Sequence, residues 1–241
     1  MIISFVNQKG GVGKTTTAIN LASSLVRNNH NLVLIDADPQ GSAATWHSIE
    51  DNQAFEIIDH PDELTQADIE ILEAAYDYVI IDAPPAVNDK VETILKASDL
   101  AIMPVTPSSL DLWSCKETLD TLESKSEVPL NGKIRLLINR KIPGTRVGRE
   151  VRQALEKFDK PVFETELCQR VAYIEAMRFG VSVMQFAPGS KAAGEIEQWG
   201  KEVSALRSGE MSEGDATDKS IATLYREETD NILFRSFQNR F

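Results

Sequence analysis

Asn7 to Thr17 reads N-Q-K-G-G-V-G-K-T-T-T, a run of glycines closed by Gly13-Lys14-Thr15 and carrying a second lysine, Lys9. Glycines let successive backbone N–H groups turn inward around a phosphate chain, and a helix opening at Lys14 adds the partial positive charge of its N-terminus. In such a loop Lys14 holds the β- and γ-phosphates of a nucleotide and the Thr15 hydroxyl ligates magnesium. Gly10, Gly11, Val12, Gly13 and Thr16 complete the cradle. The run departs from the usual G-x-x-x-x-G-K-[ST], because the first glycine would fall at position 8, where the residue is Gln8.

Carboxylates at the ends of apolar runs add to this. Asp82 closes Y-V-I-I-D, the place of a carboxylate that holds magnesium through water. Asp36 and Asp38 follow L-V-L-I in L-V-L-I-D-A-D-P-Q-G, where a carboxylate beside the γ-phosphate orients the attacking water or supports the metal. One aspartate at a strand end is commonly a cap or a turn residue. Several of them, in one chain with a phosphate loop, argue for a nucleotide site.

These residues need a frame. Near-continuous apolar runs at 2–6, 32–36, 78–82, 100–104, 134–138 and 161–164 have the character of strands buried on both faces. Helical candidates lie near 14–28, 62–75, 88–97, 110–124, 146–158 and 190–206. The alternation predicts a three-layer α/β fold with a mainly parallel, twisted sheet flanked by helices, whose ligands gather beyond the carboxyl ends of the strands. The chain of 241 residues divides into a nucleotide-binding domain over 1–207, a small, polar, acidic linker at 208–218, and an amphipathic helical tail at 219–241. No apolar run is long enough to span a bilayer, and the first strand runs straight into the glycine loop with no secretory signal. Cys115 and Cys168 lack metal-ligand spacing and read as reduced thiols of a cytoplasmic protein.

The net charge of −12 is unevenly spread: positions 133 to 160 hold nine basic residues against three acidic ones, a local charge of +6. Within that segment Arg146, Arg149 and Arg152 recur every three residues, so one helical face can carry all three, as a phosphate-binding patch or as an ordinary solvated face.

Q-K-G-G-V-G-K-T-T-T, D-A-D-P-Q-G-S, V-I-I-D-A-P-P and P-V-T-P-S-S-L-D at 104–111 together resemble the ParA/MinD group of deviant Walker ATPases, and within it the small ParA proteins of the ParF type. The resemblance covers about residues 1–207. It implies the P-loop NTPase fold, Mg2+-dependent ATP hydrolysis and an ATP-bound sandwich homodimer. In that dimer Lys9 reaches the phosphates in the partner subunit, Asp38 activates water and supports the metal, and Asn139 occupies the position that often reads adenine. A turn-forming role for Asn139 is the alternative. The resemblance further implies nonspecific DNA binding through Arg170, Arg178, Lys191 and Lys201, a ParB-like adaptor that stimulates hydrolysis, and association with the nucleoid. Because the chain begins at its first strand, no helix-turn-helix precedes it, and operator-specific binding is not expected.

Three other readings compete. A MinD-like membrane regulator would use the tail, where N-I-L-F-R-S-F-Q-N-R-F places Leu233, Phe237 and Phe241 on one helical face. An iron-protein relative would need cluster-ligating cysteines, which Cys115 and Cys168 are poorly placed to supply. A purely structural protein with a dead nucleotide site fits badly with a complete set of phosphate and metal groups.

Overall fold

The computed structural model describes residues 1–50, 54–59, 64–125, 130 and 132–209. Among them six strands form one sheet: β1 (Ile2–Phe5), β2 (Leu32–Asp36), β3 (Glu56–Asp59), β4 (Tyr78–Asp82), β5 (Leu100–Val105) and β6 (Ile134–Ile138). Their order is β3-β2-β4-β1-β5-β6 and every pairing is parallel. The connecting helices are α1 (Lys14–Arg27), α2 (Ser42–His47), α3 (Gln66–Ala75), α4 (Asp89–Ala97), α5 (Ser109–Lys125), α6 (Arg146–Leu155), α7 (Val171–Arg178), α8 (Val183–Phe186) and α9 (Lys191–Ser208).

Side-chain alternation along the central strands sorts these helices into two layers. Leu32 and Leu34 of β2 and Tyr78 and Ile80 of β4 join a core with α1, α2, α8 and α9. Their neighbours Val33, Ile35, Val79 and Ile81 point the other way, into a second core with α3, α4, α5 and α6. Strands that feed two cores have no polar face, which is why they read as unbroken apolar runs.

Three features differ from the pattern in the sequence. Residues 161–164 do not form a sheet strand, and only Val162 bridges Leu136. Pro161 has no N–H to give a ladder, and the Glu202 carboxylate takes the N–H groups of Glu164 and Thr165 at 2.7 and 3.0 Å, which ends the pairing. Strand β3 was not anticipated, because E-I-I-D is an edge strand with only partly buried side chains. Helices α2, α7 and α8 are short, six, eight and four residues, too brief for a clear helical period.

Helix α9 ends with Ser208 and a left-handed Gly209. Most of the expected linker and all of the expected tail lie outside the described residues. Among those described, no helix is long and apolar enough to cross a membrane.

Candidate functional site

Parallel pairing sets the carboxyl ends of β1, β2 and β4 side by side: Asp82 is in register with Phe5 on one flank and Asp36 on the other. The glycine loop leaves β1 there. Asn7 fixes its start, donating from Nδ2 to the Pro104 carbonyl at 2.9 Å and accepting the Lys9 N–H at 2.9 Å. Gly11 and Gly13 adopt φ of 78° and 96°, which a residue with a Cβ resists. At Gly13 space is also closed, since a Cβ would stand 2.5 Å from Asn139 Nδ2.

Thr15 and Asp82 meet directly, with the threonine hydroxyl donating to Asp82 Oδ2 at 2.5 Å. Asp82 is fully buried, and Oδ1 has no partner. Burial pushes its pKa up to about 7, against the Thr15 hydrogen bond and the nearby Lys14 charge that lower it. Lys14 is buried too, and desolvation lowers its pKa while Asp82 and Asp38 pull it back. Among the described residues no group of three His, Cys, Asp or Glu side chains could hold a metal alone. A hydroxyl beside a carboxylate with an orphaned oxygen instead fits a hard divalent cation that takes its remaining ligands from phosphate and water. When bound, such an ion neutralises phosphate charge as it develops.

The two aspartates at the end of β2 behave differently. Asp36 is fully buried and accepts the N–H groups of Asp38, Ala43 and Ala44 at 3.3, 2.7 and 3.0 Å. It therefore ties the start of α2 to the sheet. Burial raises its pKa in spite of those donors. Asp38 follows on the loop and accepts the Gln40 N–H at 3.0 Å. The peptide between Ala37 and Asp38 is held at both ends: Lys90 donates to the Ala37 carbonyl at 3.0 Å, and Asp36 accepts the Asp38 N–H. Lys90 gave no signal in the sequence, as a lone lysine at a helix start.

Lys9 is engaged elsewhere. Its ammonium pairs with Asp111 on α5, which also accepts from the hydroxyls of Thr106 and, at 2.6 Å, Ser108. About a third of the Lys9 side chain is exposed. Asp111 was missed as a site residue although it ends a quoted segment; the spacing Thr106, Ser108, Asp111 is the signal that could have found it. Beside it on α5, Leu110 and Trp113 are 66% and 69% exposed.

Across the loop, a cavity of about 380 Å³ is lined by Gly13, Thr16, Asn139, Cys168, Arg170 and Tyr173, among others. Asn139 is buried, donates from Nδ2 to the Val12 carbonyl at 2.8 Å and accepts the Arg140 N–H at 2.9 Å. It thus anchors the phosphate loop to the end of β6. Cys168 is half-buried on this wall and Cys115 is buried against the Met103 sulfur.

The basic candidates are engaged in different ways. Arg146 and Arg149 are exposed on α6, with Arg146 paired to Glu150 at 2.8 Å and Arg149 donating to the Gly144 carbonyl at 3.0 Å. Arg152 does not join them. It turns inward to Glu166 at 3.1 Å and to the carbonyls of Phe163 and Glu164, because positions spaced by three drift around a helix of 3.6 residues per turn. Arg170 pairs with Glu195, and Lys201 with Glu197 at 2.9 Å. Arg178 and Lys191 are exposed and have no acidic partner among the described residues.

Residues 3–183 match the family described as the CobQ/CobB/MinD/ParA nucleotide binding domain. The chain is 32% identical over 203 residues to maintenance of carboxysome distribution protein A of Halothiobacillus neapolitanus, covering 81% of this chain and 93% of that protein. It is 31% identical over 237 residues to the chromosome-partitioning ATPase Soj of Thermus thermophilus, covering 84% and 95%. Its fold is similar to that of the septum site-determining protein MinD from Pyrococcus horikoshii, complexed with Mg-ADP, with a TM-score of 0.70 at 19% identity over 88% of this chain and 99% of that one.

Proposed function

Since the chain belongs to the CobQ/CobB/MinD/ParA family of nucleotide-binding ATPases, we propose that it is a positioning ATPase that dimerises on ATP, binds DNA without sequence preference and distributes a large cargo. Lys9 is the observation that carries this reading. In this reading the phosphate-loop lysine that pairs with Asp111 on α5 is a cation kept for another use. A sandwich of two subunits face to face supplies that use, because each Lys9 can then leave Asp111 for the phosphates bound by the other copy. Exposed Leu110 and Trp113 beside the pair give a second copy apolar surface to cover.

In this reading Lys14 and the loop N–H groups hold the triphosphate, Thr15 and Asp82 hold magnesium, and Asp38 faces the attacking water. ATP acts as the dimer's adhesive, and its hydrolysis separates the copies. A similarly folded MinD was captured with Mg-ADP, which supports the same cofactor pair here. The related proteins act on different cargoes, carboxysomes in one case and chromosomes in another, so a plasmid, a chromosomal region or a protein organelle fits the same engine. The cargo would carry a ParB-like adaptor that stimulates hydrolysis.

DNA retention tests the reading. With ATP, affinity for random-sequence duplex should fall steeply as salt rises, as phosphate contacts require. Retention that ignores either ATP or salt contradicts it.

A further inference from the structure

Arg170 stands between two spaces. On one side it lines the cavity beside Gly13 and Thr16, and on the other an open groove formed by Glu164, Thr165, Lys191, Gly194, Glu195 and Gln198. The Glu195 carboxylate grips its guanidinium through Nε and Nη2, and the same carboxylate accepts the Cys168 N–H at 3.1 Å. One side chain of α9 therefore holds the cavity wall and, at once, the principal cation of the groove. As it stands the groove is balanced, with Arg170 and Lys191 against Glu164 and Glu195, and offers little net attraction to an anion.

We propose that Glu195 is a positioning residue that couples nucleotide occupancy to DNA binding: with the cavity empty it withholds Arg170 from DNA phosphates, and with the cavity filled it releases it. This rests on the DNA reading above. A nucleotide in the cavity bears on the Cys168–Arg170 wall, and displacement of that wall strains both of its attachments to Glu195. Freed from the carboxylate, Arg170 and Lys191 present two cations to a phosphate backbone, and a planar guanidinium suits phosphate as well as carboxylate. The coupling is reciprocal, so DNA must tighten nucleotide binding by the factor by which nucleotide tightens DNA binding.

The test measures binding of a short random-sequence duplex to the full chain, with and without a non-hydrolysable ATP analogue and magnesium. Glu195→Gln, nearly isosteric, should raise nucleotide-free DNA affinity by roughly threefold or more and shrink the gain on adding nucleotide. Arg170→Gln should lower affinity with nucleotide bound and change it little without nucleotide. Glu195→Gln with the wild-type dependence on nucleotide, or Arg170→Gln with wild-type affinity in the nucleotide-bound state, overturns the inference while leaving the DNA reading intact. Wild-type protein that never retains the duplex overturns the DNA reading itself.

Discussion

Asp82 and Lys9 show how residues with ordinary chemistry become specialised by what surrounds them. Buried Asp82 has a pKa near 7, above the usual carboxylate value, so in the nucleotide-free protein the folded state binds its proton more tightly than the unfolded state. The sign follows from linkage: this group costs nothing below about pH 4, costs more as pH rises toward 7, and costs a constant amount above that. Asp82→Asn removes the cost. Measured by urea unfolding without nucleotide, the stability of the variant relative to wild type should therefore increase by roughly 2–3 kcal/mol between pH 5 and pH 8; a gap independent of pH would show that Asp82 is not held in this way. Lys9 is restrained by an ion pair that is partly open to solvent, worth at most about 1 kcal/mol. Asp111→Asn should accordingly shift ATP-dependent dimerisation to lower protein concentration by about two- to fivefold, read by light scattering. The structure brings the glycine loop and the Thr15–Asp82 pair together at the strand ends, where the motif's residue types and spacing led one to look for them. Lys90 and Glu195 were not legible in the sequence, since each acts through a partner far away in sequence and nothing local distinguishes them from solvated charges, whereas Asp111 had a local signal in the hydroxyls of Thr106 and Ser108.

At the scale of elements, legibility follows burial. Strands β1, β2, β4, β5 and β6 lie between two helical layers and announce themselves as apolar runs, whereas edge strand β3 and short helices α2, α7 and α8 do not. The 161–164 run failed as a strand because a side chain on α9 took its backbone donors, a tertiary effect invisible in the segment itself. Helix α9 also packs closely on α1. A Cβ at Gly200 would drive into the Ser24 side chain on α1, the helix that opens with Lys14. Gly200→Ala, although it favours helix, should destabilise the fold by about 1–3 kcal/mol through overpacking, lowering Tm by several degrees in a thermal melt. A variant as stable as wild type would mean that the two helices can part without cost.

For the whole molecule, an acidic chain that binds DNA needs its cations concentrated and conditionally available. Among the described residues several basic side chains are paired with carboxylates, Arg146 with Glu150, Arg170 with Glu195 and Lys201 with Glu197. In the proposed reading, bringing two copies together doubles whatever cations each presents, so dimerisation is the proposed control point for DNA retention. The account therefore stands on the claim that ATP joins two subunits and that Lys9 completes the site of the other. Sedimentation or light scattering of wild type, Lys9→Ala and Asp38→Ala with Mg-ATP measures this directly. Wild type should dimerise transiently, Asp38→Ala should accumulate as an ATP-bound dimer, and Lys9→Ala should dimerise at least roughly tenfold more weakly, about 1.4 kcal/mol. Three proteins with the same dimerisation behaviour would contradict it.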